Sequence, residues 1–298
     1  MKIKDKLTSH DKLFGTLCGI LAAICYGTNP LGALNLRAEG LFTNSILFFR
    51  FSIALILISL LLIVRKESFK VTLRELGTLT ALGLLFSASS ITLYLSFNRM
   101  DAGVASTILF VYPVMTAILM ALLFKEKVTF ATALSIGLSF IGVMLLYWTG
   151  QGQTLDTWGV ILVLISALTY SVYIIVINRS NLAMSSFKIN FFVTAYCILG
   201  VLIFSLIVGR GIEFPSTPRA WFFVGWLSIV PTIFALVLLV KAAKLVGSTP
   251  TAIMGALEPL TAVLIGIFVF GESFSTRLAL GIVLILSAVI IIASAKKK

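Results

Sequence analysis

The sequence predicts an all-α membrane protein of ten transmembrane helices, arranged as two inverted five-helix repeats. Three observations lead there. The 298 residues are 59% hydrophobic and only 11% charged, whereas a soluble domain carries roughly a quarter charged residues. Apolar runs of about 20 residues, the length that crosses a bilayer as a helix, recur along the whole chain. Two of these runs also match each other. LEPLTAVLIGIFVFGE at 257–272 lays onto VYPVMTAILMALLFKE at 111–126, pairing Pro113 with Pro259, Phe124 with Phe270 and Glu126 with Glu272.

Apolar runs bounded by charge or turn residues place the spans in order. They fall at 14–34, 43–64, 76–97, 103–124, 129–148, 158–177, 187–208, 220–240, 247–270 and 274–293. At about 1.5 Å of rise per residue each is long enough to cross, some with tilt. A basic tail precedes the first run, but no small-residue cleavage site and soluble domain follow it, so it reads as a retained span. The strand alternation of an outer-membrane barrel is absent, and the short connections leave no room for an inserted soluble domain. Cys18, Cys25 and Cys197 lie inside apolar runs without disulfide or metal spacing and read as packing residues.

Lys and Arg then orient the chain. Seventeen collect on one side, in the tail, after span two, between spans four and five, six and seven, and eight and nine, and at the C-terminus. Only Arg37, Arg99, Arg210, Arg219 and Arg277 fall on the other side. Both termini are therefore expected in the cytoplasm, with the protein in the cell membrane. The net charge of +12 is explained by this pattern rather than by nucleic acid, which needs a soluble basic surface.

Gly15, Ala23 and Tyr26 of span one recur 144 positions later as Gly159, Ala167 and Tyr170, and Gly103 recurs as Gly247. By Pro113 and Pro259 the offset is 146, so the second copy gained two residues. The halves, 1–150 and 151–298, together form one transport domain. Each holds five spans, an odd number, so the second half must be inverted. Inverted repeats are characteristic of secondary transporters, whose substrate site lies near the midplane between them.

Pro113 to Glu126 followed by Gly137 and Gly142, and Glu258-Pro259 to Glu272 followed by Gly281, resemble the pattern of the EamA family of the drug/metabolite transporter superfamily. Arg50 in FFRFSIAL resembles that family's span-two arginine. The resemblance covers nearly the whole chain and implies a ten-helix inverted-repeat carrier, often an exporter of metabolites or amino acids. It does not select a substrate. The first copy has Tyr112 where the second has Glu258, and the second lacks a counterpart of Gly142, which implies different packing of its last span.

Glu258 is the only acid deep in a span. It stands roughly 18 Å along the helix from Phe270, where an unpaired charge costs about 2.5–3.5 kcal/mol on insertion scales. Pro259 has no N–H and leaves the Gly255 carbonyl without its helical donor, so an acid and a freed carbonyl describe a polar cavity. Glu258 is a candidate for substrate binding and for proton coupling, or else it pairs with Arg50. Arg50, about 10 Å deep, suits a carboxylate, or it snorkels or caps a helix. Tyr26, Asn29, Tyr94, Tyr112, Tyr170 and Tyr173 are the further candidates for substrate contact, offering hydrogen bonds beside apolar rings. Ser87, Ser89 and Ser90 read as helix-packing residues, and Gly15 with Gly19 as a close helix crossing. Pro30, Pro113, Pro231 and Pro259 are expected to bend their helices. Glu126 and Glu272, at span ends, are expected to cap or tie the turn into the next helix.

An enzyme would need a nucleophile with a base, or a metal cluster. The one histidine, His10, is in the tail and the four aspartates lie outside the spans, so neither catalysis nor a metal or cofactor is expected. A channel would show rings of charge or a filter motif. A receptor or structural membrane protein without transport activity is the remaining alternative. The expected partners are a small-molecule substrate and membrane lipid.

Overall fold

In lipid every backbone N–H and C=O must find a partner within the chain, so a sequence of long apolar runs has helices as its solution. The computed structural model describes residues 9–125, 128–150, 153–180, 182–246, 251 and 254–295. The helices are α1 (Ser9–Gly27), α2 (Asn29–Ala38), α3 (Thr43–Val64), α4 (Leu73–Ser96), α5 (Ala102–Leu109), α6 (Tyr112–Phe124) and α7 (Phe130–Tyr147). After a short antiparallel hairpin, β1 (Trp148–Gly150) with β2 (Gln153–Thr154), come α8 (Thr157–Arg179), α9 (Ser186–Val208), α10 (Pro218–Ser228) and α11 (Ala235–Val246). Then follow α12 (Leu257–Phe270) and α13 (Thr276–Ala295). The hairpin was not expected.

Among the described residues, eight helical stretches are long and apolar enough to cross a membrane, and Leu257–Phe270 and Thr276–Ile291 are further apolar segments. At about 1.5 Å per residue, α12 alone covers roughly 21 Å, less than the hydrocarbon core. The expected start of that span, Gly247, lies outside the described residues, as do Glu126 and Lys127.

Helix starts are set by polar caps that a search for apolar runs passes over. Span three begins at Leu73, three residues earlier than expected, because Thr72 and Glu75 form a reciprocal capping box. Asp156 caps α8, Ser185 caps α9 and Thr217 caps α10, each accepting from the backbone N–H three residues on.

The four prolines mark interruptions of another kind. Pro30 and Pro113 occupy the second position of α2 and α6, and Pro259 the third of α12. A missing N–H costs nothing in a helix's first turn. Pro231 lies in a π-helical turn, Ile229–Phe234, that joins α10 to α11. Three of the prolines therefore begin new helices rather than bend old ones. The orphan carbonyl expected at Gly255 is also corrected. The chain tightens there, and the Gly255 carbonyl accepts from the Glu258 N–H at 2.9 Å.

Packing joins distant segments. α1 lies along α11 and α12, α4 along α8 and α9, α3 along α9, α5 along α12, α6 along α8, and α7 along α13. The Gly15–Gly19 face of α1 meets Leu245, Val246 and Ala242 of α11. α7 and α13 cross at Gly142 and Gly281, where a Cβ on either glycine would press on the other's carbonyl oxygen. The last span thus packs through Gly281, although it lacks a counterpart of Gly142. Buried hydroxyls and amides tie the bundle: Ser89 and Ser166 each donate to the other's carbonyl, at 3.1 and 2.8 Å. Asn44 donates to Ser205 Oγ and to the carbonyls of Arg210 and Gly211.

Glu272 was expected to serve its own turn and does something else. Gly271, at φ +70°, ends α12 in the left-handed region, and the Glu272 N–H closes back on the Gly266 carbonyl. This fold-back sends the carboxylate to the start of α5. There it accepts from the Ala102 and Gly103 N–H groups at 2.7 and 3.0 Å, capping a helix about 170 positions earlier in the chain. Gly266 leaves the necessary room, since a Cβ there would collide with the carboxylate. Gly266→Ala is expected to displace the cap and cost about 1–3 kcal/mol, read as a lower midpoint of thermal unfolding in detergent. Burial raises the Glu272 carboxyl above its usual range, and the two N–H donors pull it back in part. Between 4.5 and that raised value the folded state binds more protons, so stability falls as pH rises. Glu272→Gln is expected to flatten that slope, and an unchanged slope would assign it to another group.

Candidate functional site

The helix interruptions converge on one place. A cavity of about 490 Å³ lies among α1, α2, α3, α4, α8, α11, α12, α13 and the α5–α6 break. Of the residues singled out in the sequence, Tyr26, Asn29, Arg50, Tyr94, Tyr112, Pro113, Tyr170 and Glu258 all line it. Pro30, Pro231, Pro259 and Tyr173 do not. Tyr173 stands behind the wall, stacked on Tyr170 with ring planes 9° apart.

The local fold explains why each group points inward. Where α1 stops, Thr28 Oγ1 donates to the Cys25 carbonyl at 2.7 Å and Asn29 Nδ2 to the Tyr26 carbonyl at 2.9 Å. These bonds satisfy carbonyls that the interrupted helix cannot. The Asn29 amide oxygen is left to accept from Tyr94 Oη at 3.3 Å. At the second interruption, the Tyr112 carbonyl accepts from Thr116 Oγ1 and Ser171 Oγ, which fixes Tyr112 against α8. Its ring meets Tyr170 edge to face at 4.7 Å. Phe86 packs against both Tyr170 and Tyr173, completing an aromatic wall.

Arg50 is 6% exposed and does not snorkel. Its Nη1 donates to Tyr94 Oη at 2.8 Å and its Nε to Thr232 Oγ1 at 3.1 Å. Thr232 belongs to the π-helical turn and itself donates to the Leu227 carbonyl. Ser228 closes the arrangement by donating to the Arg50 carbonyl at 3.0 Å. The arginine thus joins α3 and α4 to the π-helical turn, and two of its five N–H donors are used in these side-chain bonds.

Glu258 sits in the first turn of α12. It lines the cavity together with Tyr26, Tyr112 and Tyr170. Among the described residues its carboxylate has no ion pair and no hydrogen-bond donor, and Arg50 is bonded elsewhere. The cavity therefore holds one bound cation and one acid without a protein partner. The first turns of α2, α6 and α12 also supply lining residues, Asn29, Tyr112 and Glu258, and helix N-termini favour negative charge.

Phe86, Phe110 and Thr116 line the cavity without having been singled out. So do Ser89 and Ser90, read as packing residues; Ser89 is also bonded to Ser166, so it serves both purposes. Arg50 and Val289 add walls from α3 and α13.

The model of the EamA-like transporter family matches this chain twice, over residues 13–148 and 157–294. A protein of Archaeoglobus fulgidus called an uncharacterized transporter is 26% identical over 283 residues, covering 93% of this chain and 96% of its own length. Another of that description, from Clostridium kluyveri, is 23% identical, covering 94% of this chain and 93% of its own. The uncharacterized transporter YdfC of Bacillus subtilis is 26% identical over 225 residues, with 74% and 71% covered. One solved crystal structure shares the fold at a TM-score of 0.64 with 17% identity, covering 95% of this chain and 99% of that one.

Proposed function

The chain belongs to the EamA-like transporter family, and from that premise we propose that it is a secondary carrier exporting amino acids or related small metabolites by alternating access. It is a multi-pass membrane protein, and its family implies a small-molecule substrate. The observation that carries the proposal is the cavity, which holds Arg50 and an unpartnered Glu258 between segments of both halves of the chain. An amino acid presents a carboxylate and an ammonium, and these two residues offer a counter-charge to each.

The proposed architecture is ten helices in two inverted repeats, 1–150 and 151–298. The twofold match of the family model supports it. So does the packing: α1 against α11 and α12 corresponds to α8 against α4 and α6 when the halves are exchanged. α3 against α9 and α7 against α13 map onto themselves. Interrupted helices with N-termini at a central site are the usual means of binding polar cargo in such carriers. In this reading Tyr26, Asn29, Tyr94, Tyr112, Tyr170 and Glu258 contact substrate, Tyr173 supports Tyr170, and the proline-marked interruptions are the flexing points.

The distribution of basic residues supports a cell-membrane protein with both termini in the cytoplasm. A reporter fused after Lys298 is expected inside, and one inserted in the 148–154 hairpin outside. Finding both on one side would end the ten-span reading. The function itself is tested with purified protein in vesicles, offered radiolabelled amino acids. Saturable counterflow, fast only when unlabelled substrate waits on the far side, is the expected result. No flux of any member of the series would favour a receptor or structural protein.

A further inference from the structure

A second cavity, of about 380 Å³, opens between α2, α3, α4 and α9. Leu34, Leu95, Phe204 and Val208 give it apolar walls, Arg37 and Arg210 stand on it, and no acid lines it. Elsewhere in the chain Arg219 and Arg99 are paired with Glu39 and Asp156. Arg37 and Arg210 have no ion pair among the described residues. Arg37 donates to the Phe97 carbonyl at 2.9 Å, and the Arg210 guanidinium carbon lies 3.5 Å from the Phe42 ring centre. Both arginines are exposed, and each guanidinium is thus positioned without a counter-charge from the described residues.

The neighbouring wall gives the cavity its meaning. Tyr94 lines this cavity and also the central one. Its hydroxyl is held on the central side by Arg50 and Asn29. Tyr94 is therefore a wall shared by the cavity of Arg37 and Arg210 and the cavity of Arg50. We propose that the Arg37–Arg210 cavity is a second binding site, for a small carboxylate with an apolar body, and that Tyr94 is the shutter between it and the central site. The head group would take the guanidiniums and the body the apolar wall. An anionic lipid head group has the same chemistry; the shared Tyr94 wall favours cargo on the transport route.

The test uses the full chain with its three cysteines replaced, in vesicles of phosphatidylcholine. In Asn98→Cys, on the cavity wall, the rates of labelling by sulfonatoethyl and ammonioethyl methanethiosulfonate are compared. Their ratio cancels any effect of the arginines on the thiol itself. Adding Arg37→Gln and Arg210→Gln is expected to lower the anionic-to-cationic ratio by about tenfold or more. Benzoate is expected to slow labelling only while the arginines are present. Ser90→Cys, in the central cavity, is expected to label several-fold faster from the arginine side when Tyr94→Ala is added. A ratio indifferent to the arginines overturns the site, as does protection by phosphatidylglycerol with none by benzoate. Unchanged Ser90→Cys labelling overturns the shutter. The route rests on the carrier reading, whereas the labelling ratios need no transport. Labelling as expected without any flux would therefore sink the carrier and leave the site.

Discussion

Glu258→Gln is expected to abolish accumulation driven by a pH gradient while substrate still exchanges across the membrane. The change keeps the shape of the side chain and removes the group that can gain and lose a proton. One proton per substrate allows about tenfold accumulation for each pH unit, since 1.4 kcal/mol is a factor of ten. The variant should therefore fall to a ratio of about one. Two effects oppose each other at this carboxylate. Placing a charge deep in a membrane costs about 2.5–3.5 kcal/mol on insertion scales, while the N-terminus of α12 returns about 0.3–1 kcal/mol. The first wins, and no guanidinium or amide among the described residues makes up the difference. A carboxyl in that position is relieved by a proton or by a cationic cargo, and these are the two partners a coupled carrier must alternate. If Glu258→Gln accumulates substrate with unchanged pH dependence, coupling lies elsewhere and the acid serves only to hold the ammonium.

How far the sequence disclosed this site follows from what kind of residue stands out in an apolar chain. Glu258, Arg50 and Asn29 are costly in lipid, so each announced itself. The tyrosines were visible because they carry a polar tip. Phe86 and Phe110 line the same cavity but went unremarked. When every face of a helix is apolar, periodicity no longer separates the core side from the lipid side. Thr232, which fixes the Arg50 head, resembles any hydroxyl used as packing glue between membrane helices. The reach of Glu272 to α5 was illegible for another reason. Contacts between positions about 170 apart leave no local trace, and only the left-handed Gly271 shows why the side chain folds back.

The fold was more legible in its parts than in its breaks. Eight spans among the described residues followed from hydropathy, and the prolines signalled interruptions. Proline chemistry alone, however, does not separate a kink from a fresh start. Pro259 was read as freeing the Gly255 carbonyl, and the chain instead used the Glu258 N–H to satisfy it. The interruption thereby becomes a helix N-terminus, which puts the acid at the positive end of a half-helix.

Arg50→Gln, the second change of large expected effect, should raise the KM for a carboxylate substrate about ten- to a hundredfold, with a smaller change in maximal rate. The guanidinium uses Nη1 on Tyr94 and Nε on Thr232, which leaves three of its five N–H donors outside those bonds on a residue that lines the cavity. A charge-assisted hydrogen bond to a carboxylate contributes about 1.5–3 kcal/mol, which sets the size of the effect. The same arginine also joins α3 and α4 to the π-helical turn, so a loss of affinity must be separated from a loss of structure. Tyr94→Phe makes that separation. It removes one of the arginine's structural bonds and leaves its charge in place, so the folded protein should lose far less affinity than Arg50→Gln does. Arg50→Lys keeps the charge but loses the planar fork, and should fall between wild type and Arg50→Gln. Thermal midpoints of all three variants supply the control. If KM is the same for every folded variant while the midpoints fall together, Arg50 is a tie between helices, and the carboxylate must be recognised by the N-termini of α2 and α6 alone.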